Sequence, residues 1–397
     1  MYPTLTDLIR GVFGVNIPLP IQTFGFFVAI SFIFAAWVLL LELKRKEKLG
    51  DLQSHIKKVM VGNPASIQEL LFMAIAGFVI GYKFVGIFVN YSFFSDNPQA
   101  YVFSADGSFV GGILGAALAA FLRYREKQKH KLETPRLEDV VVHPYELTGN
   151  YVMYAAVFGI IGAKIFHNLE NLGEFMRDPY GSIFSFSGLT FYGGVIVAGA
   201  FLLWYSKKNK INLLVISDAV APALMLAYAL GRIGCHMAGD GDWGIVNEMA
   251  KPHWLSWLPQ WMWAYDYPHN VINEGVQMAG CVGKHCSHLD PPVFPTPLYE
   301  IATCLILFAF LWIFRHRIKT VGVMSAIYLI LNGIERFFIE KIRVNTKYHI
   351  FGFQITQAEI ISTVFFVAGV LMLIYFLRKK KNQKPIEPNT ETEIKTD

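Results

Sequence analysis

Ala229-Leu230-Gly231-Arg232-Ile233-Gly234-Cys235-His236-Met237-Ala238-Gly239-Asp240-Gly241-Asp242-Trp243-Gly244 closes an apolar run that begins near Val215. The run is long enough for a helix that crosses a bilayer, which needs about 20 apolar residues. It ends on an arginine. Charge at the rim of a membrane is costly, so Arg232 is a functional candidate unless it merely snorkels at a helix end. The glycines that follow let a ligand approach the backbone and turn N–H groups toward an anion. An arginine beside a glycine-rich turn at a membrane surface points to a phospholipid headgroup.

The rest of the chain has the same character. Of 397 residues, 54% are hydrophobic and only 16% charged, where a soluble domain carries roughly a quarter charged residues. This is the composition of an integral membrane protein. The net charge of +5 does not indicate nucleic acid, because the basic residues fall in short clusters between apolar stretches. Met1 to Pro18 lacks a basic segment followed at once by an apolar core, so no cleaved signal peptide is expected and the first span is retained.

Nine apolar stretches stand out, at about 21–43, 69–93, 109–122, 148–169, 192–205, 213–237, 298–314, 321–339 and 357–377. The expected fold is therefore all-α, a polytopic helical bundle over 1–378 with about nine transmembrane helices and a charged tail at 379–397. Basic residues follow the first, third, fifth, seventh and ninth stretches, whereas 94–108 has none and 240–296 has only Lys251 and Lys284. Positive-inside bias puts the N-terminus outside and the C-terminus in the cytoplasm. The long loop 240–296 is then outside, with tryptophans and tyrosines suited to the headgroup level. Two hairpins resemble each other, 69–125 and 146–208: Gly81-Tyr82-Lys83 matches Gly162-Ala163-Lys164, and Phe109-Val110-Gly111-Gly112 matches Phe191-Tyr192-Gly193-Gly194. Both run the same way, which makes a parallel repeat. The second copy has the richer polar set, with Lys164, His167, Asn168, Glu170 and Tyr192.

Arg336 is the natural partner of Arg232. Asn332, Arg336, Glu340 and Arg343 fall on one stripe of a helix, either paired among themselves at an exposed helix end or turned toward a cavity. Asp240 and Asp242 flank Gly241 as turn residues, or, beside Cys235 and His236, as groups that orient an acid or base. Cys281 and Cys286 share the outer loop and read first as a disulfide, with metal ligation and free thiols as alternatives. Cys304, inside an apolar stretch, reads as packing.

These motifs resemble, in order, those of the bacterial prolipoprotein diacylglyceryl transferase family. Gly231-Arg232-Ile233-Gly234 with Asp240 and Trp243-Gly244 is similar to the family's Gly-Arg-x-Gly-Asn signature. Phe191-Tyr192-Gly193-Gly194 resembles its Phe-His-Gly-Gly, and Pro295-Thr296-Pro297-Leu298-Tyr299-Glu300 its Pro-Thr-Gln-Leu-Tyr-Glu. Arg336-Phe337, Glu340 and Arg343 resemble its Arg-Phe-x-x-Glu-x-x-Arg. The chain departs from the pattern at Tyr192 and Phe294, where the family has histidine, at Cys235 for asparagine, and at Asn332 and Phe24 for tyrosine. The first hairpin looks like an addition to the family's form.

The resemblance implies transfer of a diacylglyceryl group from phosphatidylglycerol to the lipobox cysteine of a prolipoprotein, as a monomer in the bacterial inner membrane, with no cofactor, metal or nucleic acid. Arg232 and Arg336 are expected at the departing phosphate. His236, steered by Asp240 or Asp242, is expected to take the thiol proton, with Tyr192 as a positioning partner. Gly231, Gly234, Gly193, Gly194, Asn332, Glu340, Tyr299 and Gly244 are expected to line the substrate site. The alternative is a non-catalytic relative that binds anionic lipid or lipoprotein in envelope assembly; a transporter, suggested by the repeat, lacks paired ionisable residues within the hairpins.

Overall fold

The computed structural model describes residues 1–19, 21–96, 98–184, 190–345, 347–350 and 353–382. A short amphipathic helix, α1 (Leu5–Phe13), opens the chain behind a capping box in which Thr4 and Asp7 bond each other's backbone N–H groups. It is followed by α2 (Thr23–Lys48), β1 (His55–Val61), α3 (Ile67–Val89), α4 (Tyr91–Asp96), α5 (Pro98–Phe103), α6 (Phe109–Lys129), β2 (Arg136–Val142), α7 (Thr148–Glu170), α8 (Leu172–Arg177), α9 (Pro179–Phe184), α10 (Phe191–Lys208) and α11 (Leu213–Ala238). The chain continues as β3 (Val276–Gln277), β4 (Ser287–His288), α12 (Thr296–Phe314), α13 (Val323–Glu340), β5 (Lys347–Ile350), β6 (Phe353–Thr356) and α14 (Gln357–Asn382).

All nine apolar stretches are helical. Among the described residues, six segments are long and apolar enough to cross a membrane by themselves: Thr23–Lys48, Ile67–Val89, Pro144–Glu170, Leu213–Ala238, Thr296–Phe314 and Gln357–Lys379. The other three, α6, α10 and α13, have shorter apolar parts or carry charge, as α13 does at Glu335, Arg336 and Glu340. The expected boundary at 379 falls inside α14; of the tail, 383–397 lies outside the described residues.

α11 is the central helix, packed against α2, α12 and α13. Val215, Ala219 and Ala223 face the α2 side of the core, while Ala221, Met225 and Ala229 pack with Cys304, Leu311 and Met324. Small side chains permit this approach where lipid offers no hydrophobic drive between helices. Asp218, 1% exposed, sets where α13 begins: its carboxylate accepts from the Gly322 N–H at 2.7 Å, and from the Ser325 N–H and hydroxyl at 2.8 and 2.7 Å.

The repeat is visible in the backbone. α3 pairs with α6 and α7 with α10, each hairpin turning through two short helices. Asn90 and Asn171 end α3 and α7 at φ/ψ of −112°/43° and −118°/47°. A Cβ on Gly81 would stand 2.3 Å from the Gly111 carbonyl oxygen, and one on Gly162 2.4 Å from that of Gly193. Both crossings therefore require glycine.

Three small antiparallel ladders qualify the all-α expectation. β1 pairs with β2 from His55↔Val142 to Val61↔Arg136, closing the base of the first hairpin. Lys57 and Lys58, among the basic residues after the first span, sit in this ladder, with Lys58 opposite Asp139. β3–β4 and β5–β6 stiffen loops. The long loop has its own small core of Trp243, Tyr267, Leu289 and Val293, and Cys281 and Cys286 are disulfide-bonded.

Candidate active site

α11 stops because Gly239 adopts φ +65°, φ space that a side chain resists. The chain then folds back: the Gly244 N–H donates to the Phe294 carbonyl and the Ile245 N–H to the Ile342 carbonyl, each at 2.8 Å. A Cβ on Gly244 would strike the Ile342 carbonyl oxygen at 2.5 Å. This close approach ties the end of α11 to the end of α13 and places Asp242 between two guanidiniums, those of Arg232 and Arg343. Thr296, at the start of α12, donates to the Asp242 carbonyl at 2.9 Å.

Glu300 lies one turn further into α12 and has no exposed surface. It accepts from the Tyr228 hydroxyl at 2.7 Å and from Arg336 Nη1 at 2.9 Å, and pairs with Arg232 Nε at 3.1 Å. Arg343 Nη1 stands 3.6 Å from it. Arg336 also pairs with Glu340 at 3.2 Å, and Glu340 takes a hydrogen bond from Asn345 at 2.5 Å. Three arginines from two helices and the residue run just beyond thus surround three carboxylates. Each guanidinium faces at least one carboxylate, the pairing that makes burial of so many ions tolerable.

Arg232 and Arg336 do meet, through Glu300. Their side chains keep 14% and 19% of their surface exposed, against 6% for Arg343, so these two can reach a ligand. The pairing read from the stripe is half present: Arg336 pairs with Glu340, but Arg343 turns to Asp242 and Glu300, and the stripe is partly buried at Asn332 and Arg336 and buried at Glu340 and Arg343. Glu335, beside Arg336, is 4% exposed and neither carboxyl oxygen has a hydrogen-bond partner among the described residues.

Tyr192, near the start of α10, lies within electrostatic reach of Arg336, Glu340 and Arg343. Asn332 is one turn before Arg336 and partly buried. Gly231 borders open space, whereas Gly234 packs on the Phe24 backbone of α2, where a Cβ would stand 3.1 Å from its carbonyl oxygen. Gly193 and Gly194 are spent on the α7 crossing. Tyr299 donates its hydroxyl to the Met262 carbonyl of the long loop at 2.9 Å.

The expected steering of His236 by an aspartate is not found. His236 is buried, its Nδ1 3.2 Å from the Tyr267 hydroxyl, with the Tyr265 ring alongside. Asp242 is committed to its two arginines. Burial works to raise its carboxyl, but the Arg232 and Arg343 guanidiniums outweigh this and hold it down at about 2. Asp240 faces Cys235 instead and accepts from the Asp242 N–H at 3.3 Å. Burial first, then the Asp242 charge, pushes the Asp240 carboxyl up. Cys235, Asp240 and Asp242 offer donor atoms within 4.8 Å of one another, but two guanidiniums on Asp242 oppose a cation there.

Glu300 and Tyr228 were not among the expected site residues, and Asp242 and Arg343 were expected in other roles, as a group steering His236 and as a partner of Glu340. Glu300 stood in the sequence only as the end of the 295–300 motif; the signal for its role was a carboxylate one turn inside an apolar helix. Tyr228 was readable as the residue one turn before Arg232.

A family model described as prolipoprotein diacylglyceryl transferase matches residues 11–150 and 142–375. The two stretches overlap at 142–150, where β2 gives way to α7. The chain is also similar to proteins named phosphatidylglycerol–prolipoprotein diacylglyceryl transferase. The one from Leptospira interrogans is 26% identical over 69% of this chain and 90% of its own. That from Psychrobacter arcticus is 27% identical over 59% and 80%, and that from Corynebacterium glutamicum 29% identical over 61% and 72%. With matches over most of its length and arginines gathered at one helix end, the chain belongs to the prolipoprotein diacylglyceryl transferase family.

Proposed function

We propose that this protein transfers the diacylglyceryl group of phosphatidylglycerol to the lipobox cysteine of prolipoproteins. The observation that carries the reading is the meeting of Arg232 and Arg336 around Glu300. The cysteine sulfur, as thiolate, attacks the glycerol carbon bearing the phosphate ester. A C–S bond forms, the C–O bond breaks, and the electron pair leaves with glycerol phosphate. The phosphate gains one negative charge as it departs, and that charge needs donors already in place. Arg232 and Arg336 supply them; a planar guanidinium suits a phosphate better than an ammonium does.

The thiol must lose its proton first. Asp240 is better placed to take it than His236: it is only partly buried and its carboxyl is raised toward the working range. Tyr192 positions the headgroup from α10. The sites of binding are Gly231, Asn332 and Glu340 around the arginines. We place the N-terminus outside and the C-terminus in the cytoplasm, following the basic loops, and take the working unit to be a monomer.

Purified protein in phosphatidylglycerol vesicles with a lipobox peptide tests this by mass spectrometry. A peptide heavier by one diacylglyceryl group, with release of glycerol phosphate, is expected. Arg232→Gln should lower the rate by about 100-fold or more, the scale of losing one preorganised donor, and Asp240→Asn should lower it more than His236→Ala does. The replacement of two family histidines by Tyr192 and Phe294 favours a second reading, a binding protein without catalysis. Lipid retained without thioether product would establish that one.

A further inference from the structure

The outer loop presents a cluster of indoles that neither the loop core nor the arginine site uses. Trp254 and Trp257 are each 75% exposed and Trp261 42%, with Met249 at 61% nearby. Exposed apolar groups so concentrated are costly in water and mark a contact surface.

The segment is not a floppy one that could fold its rings away. Asn247, 2% exposed, bonds the Trp263 carbonyl through its side chain at 2.7 Å. The Trp263 indole N–H donates to the Met249 carbonyl at 3.0 Å. Two single-turn 3₁₀ helices, His253–Leu255 and Gln260–Met262, hold the tip. Lys251, the one cation between 245 and 263, is turned inward with its ammonium on the Leu258 carbonyl. The tip from His253 to Trp261 contains no Asp, Glu, Lys or Arg.

Its height is set by α12. The Asn247 N–H donates to the Pro292 carbonyl at 2.8 Å, the Trp263 and Phe294 rings lie 5.5 Å apart, and Tyr299, in the first turn of α12, bonds Met262. The indoles thus sit beside the end of a helix apolar enough to cross the membrane. At that level indole rings settle between headgroups and acyl chains. We propose that residues 247–263 form an interfacial anchor in which Trp254 and Trp257 insert into the leaflet bordering the arginine cluster. The tip bearing the indoles, His253 to Trp261, has no Asp, Glu, Lys or Arg, while Glu248 and Lys251 lie at its base, and such an apolar tip beside α12 fits the lipid boundary better than a charged polypeptide. Anchoring holds the Asp240–Gly244 turn at the headgroup plane.

The test uses the full-length protein in phosphatidylcholine vesicles whose acyl chains carry bromine near the headgroup. Emission of the parent minus that of Trp254→Phe/Trp257→Phe isolates the two indoles while keeping an aromatic at each site. The anchor predicts that brominated lipid quenches most of this difference emission and that aqueous iodide quenches little of it. Iodide quenching without bromine quenching would overturn it. So would lipid-like shielding that arises only after a signal peptide is added, which would make the surface a polypeptide dock. Should the double variant fail to fold, Trp254→Phe and Trp257→Phe singly give the same readout. The outcome is independent of transferase activity.

Discussion

Glu300 is the residue on which the cluster turns. It is fully buried and touches two of the arginines and Tyr228, so removing it leaves guanidiniums buried without a counter-charge. Glu300→Ala should destabilise the protein by roughly 3–5 kcal/mol, read as a lower thermal transition in detergent together with loss of transfer. Asp242 gives a pH signature. Its folded-state carboxyl sits near 2 against an ordinary 3.8, so folding favours the ionised form. That stability is complete above the unfolded value and fades as pH falls through about 2. The gap in thermal transition between parent and Asp242→Asn should therefore hold steady from pH 7 to 5 and shrink below about pH 4. Arg232 could be read from the chain because a cation ending an apolar run is conspicuous. The orientation of His236 could not, since an i+4 neighbour of Arg232 on the same helix can face either the turn at Asp240 or the tyrosines of a loop 30 residues on, and only tertiary packing decides.

The two hairpins were readable as elements because their glycines recur at matching positions, and glycine spacing follows from how closely two helices cross. What the residues between them do was less readable. Gly193 and Gly194 follow Tyr192 and resemble a ligand-binding turn, yet their missing side chains serve the approach of α10 to α7. Gly162→Leu should force that crossing apart at a cost of about 1–3 kcal/mol and displace Tyr192, lowering transfer. Gly81→Leu, at the equivalent place in the first hairpin, should open the α3–α6 crossing and leave transfer near the parent rate. Side-by-side turnover measurements check both. The ladders β1–β2 and β5–β6 escaped the sequence reading because short two-stranded segments carry little periodic signal beside long apolar helices.

At the scale of the whole molecule, the β1–β2 ladder brings His55 and Val142 opposite each other, so the first hairpin leaves and rejoins the chain at one point. Cutting out residues 55–142 and joining the ends through a short glycine-serine link should give a protein that still folds and still transfers lipid; chromatography in detergent and the peptide assay would show it. Loss of the thermal transition or of turnover would mean that the hairpin supports the site.

The pairing of all three guanidiniums with carboxylates has a consequence for selectivity. Each arginine already faces a carboxylate, so an arriving phosphate meets no free charge; it must compete with those carboxylates for the partly exposed sides of Arg232 and Arg336. Affinity is then a small difference between two large sets of contacts, and shape rather than charge discriminates among anions. Added salt, which screens exposed ions far more than buried ones, should weaken headgroup capture only slightly, while moving the phosphate by a single methylene should weaken it strongly.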